Sequence, residues 1–425
     1  MKLYFAILLF AVPGLRGMAG ESKDIPCGAV KKAEAQTALE FDWVKMPLGE
    51  VDRLLRGKLE RAGEAKLLRA AVNEMIAART AQRVDYTTLT LTDGERSYFE
   101  SIGEELTGTE WKTHRDPAGK LALRATVTDL STPGIQLIAR ADVSPDNQSA
   151  KVTLAVERME APGQVEWTIG KESVKLPVTA SMKCSRAIGM KTGEWTLQGV
   201  QQSWSLSKDG RRVETPDRVL LMARATVQSP HAAVPDWQMP RQCLLLCEAI
   251  ETDAGTAATL AARFPGGDAM RQAMQEEIDK GTARLEDVGA LTVLTGTAAS
   301  NESNGDFPAP KKPEPGAKGA VGEDASSFGI TVCGCLQEAE AKWIAASSRW
   351  ELSLTWSHTA PGGVEDPPAA SPGVRTWKSS AKLQVAPNTT VLAATLQNQP
   401  DPGKDGGPQV PEKKRVTLLF VKLLE

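Results

Sequence analysis

Apolar and polar residues alternate one for one along Leu176–Ser185. Leu176, Val178, Ala180, Met182 and Cys184 take one phase; Pro177, Thr179, Ser181, Lys183 and Ser185 take the other. A period of two predicts a strand with one buried face. A turn and a further apolar strand follow over Lys191–Val200, and Val219–Val227 closes the unit. The same three-part order returns at the end of the chain, as Val374–Val385, Pro387–Leu396 and, after a Pro/Gly-rich stretch, Val416–Leu424.

Ahead of the first unit, Asp42–Pro47 is expected to open a helix with an apolar stripe of Leu48, Val51, Leu55 and Leu59, ended by Gly63. Leu68, Val72, Met75 and Ile76 make a second stripe at helical spacing. Strands are expected at Leu89–Thr92, near Ser97–Ile102, and at Leu121–Val127, Gly134–Val143 and Lys151–Glu157, with turns at Asp93-Gly94 and Pro145–Gln148. The pattern then restarts. Asp236-Trp-Gln-Met-Pro240 echoes Asp42-Trp-Val-Lys-Met-Pro47, which sets Trp237 opposite Trp43. One helix carrying Leu244, Cys247 and Ile250 is expected next, and a second carrying Met270, Met274 and Ile278 with Asp268 as its cap. Gly329–Leu336 stands beyond Gly134, and Trp350–Trp356 beyond Lys151–Val156, by nearly the spacing that separates the closing strands. Two tandem domains follow from this, over residues 41–230 and 235–425. Each is α+β and mostly antiparallel β, with helices first and strands after. Residues 306–320, 359–372 and 399–414 are rich in Pro, Gly and charge and read as disordered loops.

A length of 425 residues agrees with two or three domains, and a net charge of -3 offers no basic footprint for nucleic acid. Residues 1–20 carry Lys2, the apolar run Leu3–Val12 and small residues around Ala19, the layout of a secretory signal, with residues 21–40 as a lead-in. Export is therefore expected. No later run reaches the ~18 apolar residues of a spanning helix, and membrane association stays open. Export gives the six cysteines an oxidising compartment, where disulfides, buried free thiols and, least, a metal site are the readings. Cys243 and Cys247 on the expected helix, and Cys333 and Cys335 on one face of a strand, are the candidate helix-to-strand bridges.

Chemistry is sparse. His114, His231 and His358 fall in separate polar stretches, and the nucleophile elbow, the phosphate-cradling loop and the zinc-binding His-Glu-x-x-His are all missing. Glu104 and Glu105 alternate sides of a strand and cannot face one substrate together. No catalytic, cofactor or metal site is expected. Trp195, Trp204, Trp356 and Trp377 lie on or beside expected strands, where core packing is the default and an interaction surface for glycan or protein the alternative.

The turn Asp93-Gly94-Glu95, Gly103-Glu104-Glu105, the hairpin from Gly134-Ile135-Gln136-Leu137 through Val143-Ser144-Pro145-Asp146 to Val152, Leu154 and Glu157, the pair at Gly193-Glu194 and Leu197–Val200, and the strand Val219–Val227 form one pattern. It resembles the C-terminal β-domain of bacterial secretins. Gly329–Leu336, Leu392–Leu396 and Leu418–Val421 stand at matching places in the second copy. The resemblance implies a non-enzymatic cell-envelope protein of the periplasm or outer membrane, structural or accessory in a pilus or secretion assembly. It would have envelope proteins or further copies of itself as partners. Both copies lack the family's Pro-Val-Leu-Gly-Asp-type segment, which leaves pore formation open. A soluble binding module using a Trp-bearing sheet face is the other reading.

Overall fold

The structure is a computed structural model. It describes residues 36–58, 65–103, 105–119, 121–131, 133–169, 172–206, 213–214, 217–229, 240–264, 267–310, 327–361, 374–397 and 415–425. The signal-like segment, Cys27, Gly63, His231 and Trp237 lie outside these residues, as does most of the three low-complexity stretches.

The first half runs β1 (Gln36–Pro47), α1 (Leu48–Lys58), α2 (Ala65–Ala77), β2 (Gln82–Thr92), β3 (Arg96–Ile102), β4 (Glu105–Arg115), β5 (Leu121–Ser131), β6 (Gly134–Val143), β7 (Ser149–Ile169), β8 (Glu172–Lys191), β9 (Trp195–Gln202), the short β10 (Ser205–Leu206) and β11 (Val213–Glu214), and β12 (Asp217–Ser229). The second half runs β13 (Gln242–Asp253), α3 (Ala254–Arg263), α4 (Gly267–Asp279), β14 (Arg284–Leu294), β15 (Ala298–Pro310), β16 (Ser327–Ile344), β17 (Arg349–Pro361), β18 (Val374–Val385), β19 (Thr390–Gln397) and β20 (Arg415–Leu424). The chain is α+β and mostly antiparallel β. An eight-stranded sheet has the order β19-β20-β13-β14-β9-β12-β1-β2; the larger sheet has the path β18-β17-β16-β15-β8-β7-β6-β3.

The expected order of helices first is corrected. Each half opens on a strand, and Asp42–Pro47 and Gln242–Ile250 belong to β1 and β13. The reason is that both faces of these strands are covered. In β13, Cys243, Leu245, Cys247 and Ala249 enter the core between the sheets, while Leu244, Leu246 and Ile250 face the helical layer. A strand buried on both sides loses its alternation and is easily taken for a helix. Asp253 then caps α3, its carboxylate accepting from Thr256 N at 2.9 Å. Asp268 lies inside the first turn of α4 and accepts from Thr390 N, so it is not the cap. The polar run Asp306–Pro310 completes β15, and Thr359–Pro361 completes β17; neither is loop.

The two halves repeat one another in detail. Arg69 pairs with Asp42 at 2.7 Å, and Arg271 with Glu248 at 2.8 Å, each joining the second helix to the first strand. The turns match: Gly94 N donates to Ala141 O as Gly296 N does to Ala341 O, and Gly193 N to Ala225 O as Asn388 N does to Leu423 O. All four of these turn residues hold positive φ, which suits Gly and Asn. Single-residue bulges recur too, at Val84 and Glu286 against the first strand and at Gln198 and Ala393 against the last. The register puts Ala249 at the place of Trp43; Trp237, the expected counterpart, lies outside the described residues.

Apolar cores fill the spaces between three layers. Leu39, Phe41 and Trp43 meet Leu137, Val152 and Leu154 between the sheets in the first repeat; Leu245, Leu419 and Val421 meet Leu352, Leu354 and Trp356 in the second. Helices α1 and α2, then α3 and α4, cover the outer face of the eight-stranded sheet through Leu55, Leu68 and Val72 and through Met270 and Met274. Among the described residues no helix is long and apolar enough to cross a membrane.

Candidate functional site: the polar junction between the repeats

The first repeat contributes strands in the order β2-β1-β12-β9 and β3-β6-β7-β8; the second contributes β14-β13-β20-β19 and β15-β16-β17-β18. They join where β9 pairs with β14 and β8 with β15. The last strands of one repeat meet the first strands of the next, so the repeats are related by a step along the sheets and not by a two-fold axis.

Between the sheets at this join, apolar packing gives way to polar side chains. Each arises from an ordinary strand phase. The inward positions of β8 run Val178, Ala180, Met182, Cys184 and then Arg186; those of β15 include Ala299, Asn301, Ser303 and Phe307. On β16 they run Cys333, Cys335, Gln337, Ala339 and Ala341. Arg186 is 2% exposed, and none of its three guanidinium nitrogens has a direct hydrogen-bond partner among the described residues. Burial disfavours its charge and lowers its pKa, with the Cys184 thiol opposing.

Asn301 Nδ2 donates to Val200 O at 2.8 Å, and Gln201 Nε2 to Lys183 O at 3.0 Å, tying the sheets together across the join. Gln242 grips Gly189 from both sides, accepting from its N–H at 2.8 Å and donating to its carbonyl at 3.0 Å. Gln337 occupies the space over Gly289: a Cβ there would lie 1.7 Å from Gln337 Nε2. Close approach, not turn geometry, requires glycine at that place. A small space of about 10 Å³, lined by Val200, Gln202, Asp287, Asn301 and Gln337 among others, is the size of a single water.

One end of the junction is charged. Arg218 and Asp287 form an ion pair at 3.0 Å, with side chains 1% and 3% exposed. Cys335 Sγ donates to the other oxygen of Asp287 at 3.1 Å, and Gln202 Nε2 lies 3.2 Å from His358 Nε2. Burial opposes the Asp287 charge, but Arg218, aided by His358 and the Cys335 thiol, outweighs it and holds the carboxyl below its usual range. Burial lowers the His358 pKa, against the pull of Asp287. His358, in a polar stretch of the sequence, lies on β17, 6% exposed, with Trp356 and Trp377 beside it at centroid distances of 6.0 and 5.4 Å. Cys, His and Asp side chains thus gather without forming a nucleophile: the Cys335 thiol is pushed well above its usual range by burial and by Asp287, and it faces the carboxylate. The arrangement can hold two repeats in register.

A second charged cluster bridges the repeats on the helical side. Asp52 of α1 pairs with Arg56 and lies 3.6 Å from Arg271 of α4, which holds Glu248. Burial, and then the Glu248 carboxylate, push Asp52 up to about 7. Burial acts against the Glu248 charge as well, yet Arg271 outweighs it and keeps that carboxyl low.

The expected disulfides are corrected. Cys184, Cys243, Cys247, Cys333 and Cys335 are free thiols. Cys243 and Cys247 sit on a strand, within the core between the sheets, and Cys333 is in a separate cluster with Trp204 and Phe307. The four tryptophans do not make a surface. Trp204, Trp356 and Trp377 are buried, and Trp195 is wedged between the guanidinium groups of Arg69 and Arg224 at 4.2 and 5.0 Å. A concavity of about 750 Å³ on the outer face of the larger sheet is lined by Lys151, Glu338, Glu340, Ser353 and Lys382 among others and by no tryptophan. Among the described residues no group of His, Cys, Asp and Glu could hold a metal ion.

No protein-family model matches the chain, and no curated protein or solved structure is significantly similar to it.

Proposed function

We propose that this chain is an exported, non-enzymatic structural component of the cell envelope, built to work inside a larger pilus or secretion assembly. The reading joins the secretin-like strand pattern and the signal-like residues 1–20 to one observation: the two repeats are joined head to tail, in a way that can be continued. The buried polar groups support it by fixing the register of a joint and leaving no accessible reactive side chain there. Fractionating cells that express the full chain tests the proposal. It expects the protein in the envelope fraction, in particles larger than one chain that co-purify with secretion or pilus proteins. A cytoplasmic or purely soluble single-chain protein would overturn it. A soluble binding module is the second reading; the groove containing Lys151, Glu338 and Lys382 favours a charged peptide segment over a glycan, since no aromatic platform lines it.

A further inference from the structure

The strands that form the join in the middle of the molecule have equivalents at its two ends. β9 and β8 of the first repeat correspond to β19 and β18 of the second; β14 and β15 of the second correspond to β2 and β3 of the first. Among the described residues, β2 and β3 are bonded on one side only, and so are β18 and β19. The molecule therefore ends in two half-joints that are complementary to each other. We infer that this chain binds a second copy of itself head to tail, β19 and β18 of one molecule adding to β2 and β3 of the next. The inference rests on the assembly reading above and names its partner.

The bulges fix the register this contact would take. Within the molecule, Leu291 faces Gly199 and Ala290 faces Val200. Counting from the equivalent bulges, Leu89 and Thr88 of one copy would face Ala394 and Thr395 of the other. In the larger sheet Glu302 faces Lys183, and the equivalents at the two ends are Glu100 and Lys378, both exposed and opposite in charge. The interior of the contact changes character in a way that suits association. The place of Arg186 is taken by Ala381, that of Gln198 by Ala393, that of Gln201 by Leu396 and that of Asn301 by Phe99, all half-buried. Tyr86 and Tyr98, on the two open strands of the first repeat, are 45% and 55% exposed. Thr390–Leu396 on the opposite end carries neither proline nor charge, the usual protections of an open edge. A contact of this heterologous kind propagates into a ring or a filament according to whether its rotation closes.

The test uses the full chain. Light scattering over a range of concentrations is expected to show multiples of the chain mass. Lys378→Glu and Glu100→Lys, both at exposed positions, should each shift assembly to at least tenfold higher concentration, and the double variant should restore it. A Thr88→Cys/Thr395→Cys variant under mild oxidation should give a ladder of cross-linked multiples, whereas each single variant, its cysteine facing a threonine of the next copy, should give no cross-link at this contact. Wild-type protein that stays monomeric, or assembly indifferent to both charge changes with no ladder, overturns the inference. If the ladder and the charge effects fail while native protein is still recovered in large envelope particles, the head-to-tail contact falls and the assembly reading stands.

Discussion

Arg218 and Asp287 are almost wholly removed from water, and each charge is held by the other. Removing one leaves an uncompensated buried charge, so Arg218→Met should cost roughly 3–5 kcal/mol in chemical denaturation. Asp52 gives a pH dependence of definite sign. Its folded value, about 7, lies above its ordinary 3.8, so the unfolded chain releases that proton first as pH rises. The associated stability is complete below the ordinary value and is lost as pH rises through about 7. Melting temperature followed from pH 4 to 8 should fall in the wild type and be flatter in Asp52→Asn. The thiols give a third expectation. Burial pushes Cys243 and Cys333 up to about 12 and raises Cys184, Cys247 and Cys335 as well. At pH 8 these five should resist alkylation in the native protein and react once it unfolds, as peptide mapping by mass spectrometry would show. Fast labelling of Cys335 in the native state would contradict its place against Asp287.

At the scale of elements, the strands with one wet face were legible: β6 and the Leu176–Ser185 part of β8 follow the alternation residue by residue. What misled was burial on two faces, which turned the end of β1 and most of β13 into apparent helices, and the polar run Asp306–Pro310, which put the end of β15 in an apparent loop. The junction was half visible. Arg186 falls in phase with Met182 and Cys184, an arginine on an apolar face, and that is a mark of an unusual interior even without coordinates. Its partner strand could not be read, because the seam depends on which strands of distant segments meet. Gly289 and Gln337 test that meeting of strands. Gly289→Ala should destabilise by about 1–3 kcal/mol, since the buried Gln337 amide must move. Adding Gln337→Ala should recover part of this loss, and a double-mutant cycle measures the coupling. Additive costs would mean that the two residues do not touch.

At the scale of the molecule, the repeats share both sheets, and hydrogen bonds such as Asn301 to Val200 and Gln242 to Gly189 cross between them. They should unfold as one unit. Tryptophan fluorescence and far-UV circular dichroism in urea are expected to give one coincident transition; two resolved transitions would show that the join is weak.

The head-to-tail join also orders events in time. β1 must wait for β12 before its sheet can close, and β8 and β9 remain without their outer partners until β14 and β15 have been made. At ~5–20 residues per second of synthesis, the first half spends several seconds or more as an open template beside neighbouring nascent chains. The strand that fits it best belongs to the rest of its own chain, but a neighbour's second half carries the same strand. Crowded polysomes therefore favour exchange of halves between molecules, and a chaperone that shields β8 and β9 during synthesis would raise the yield of correctly paired protein more than one acting after release.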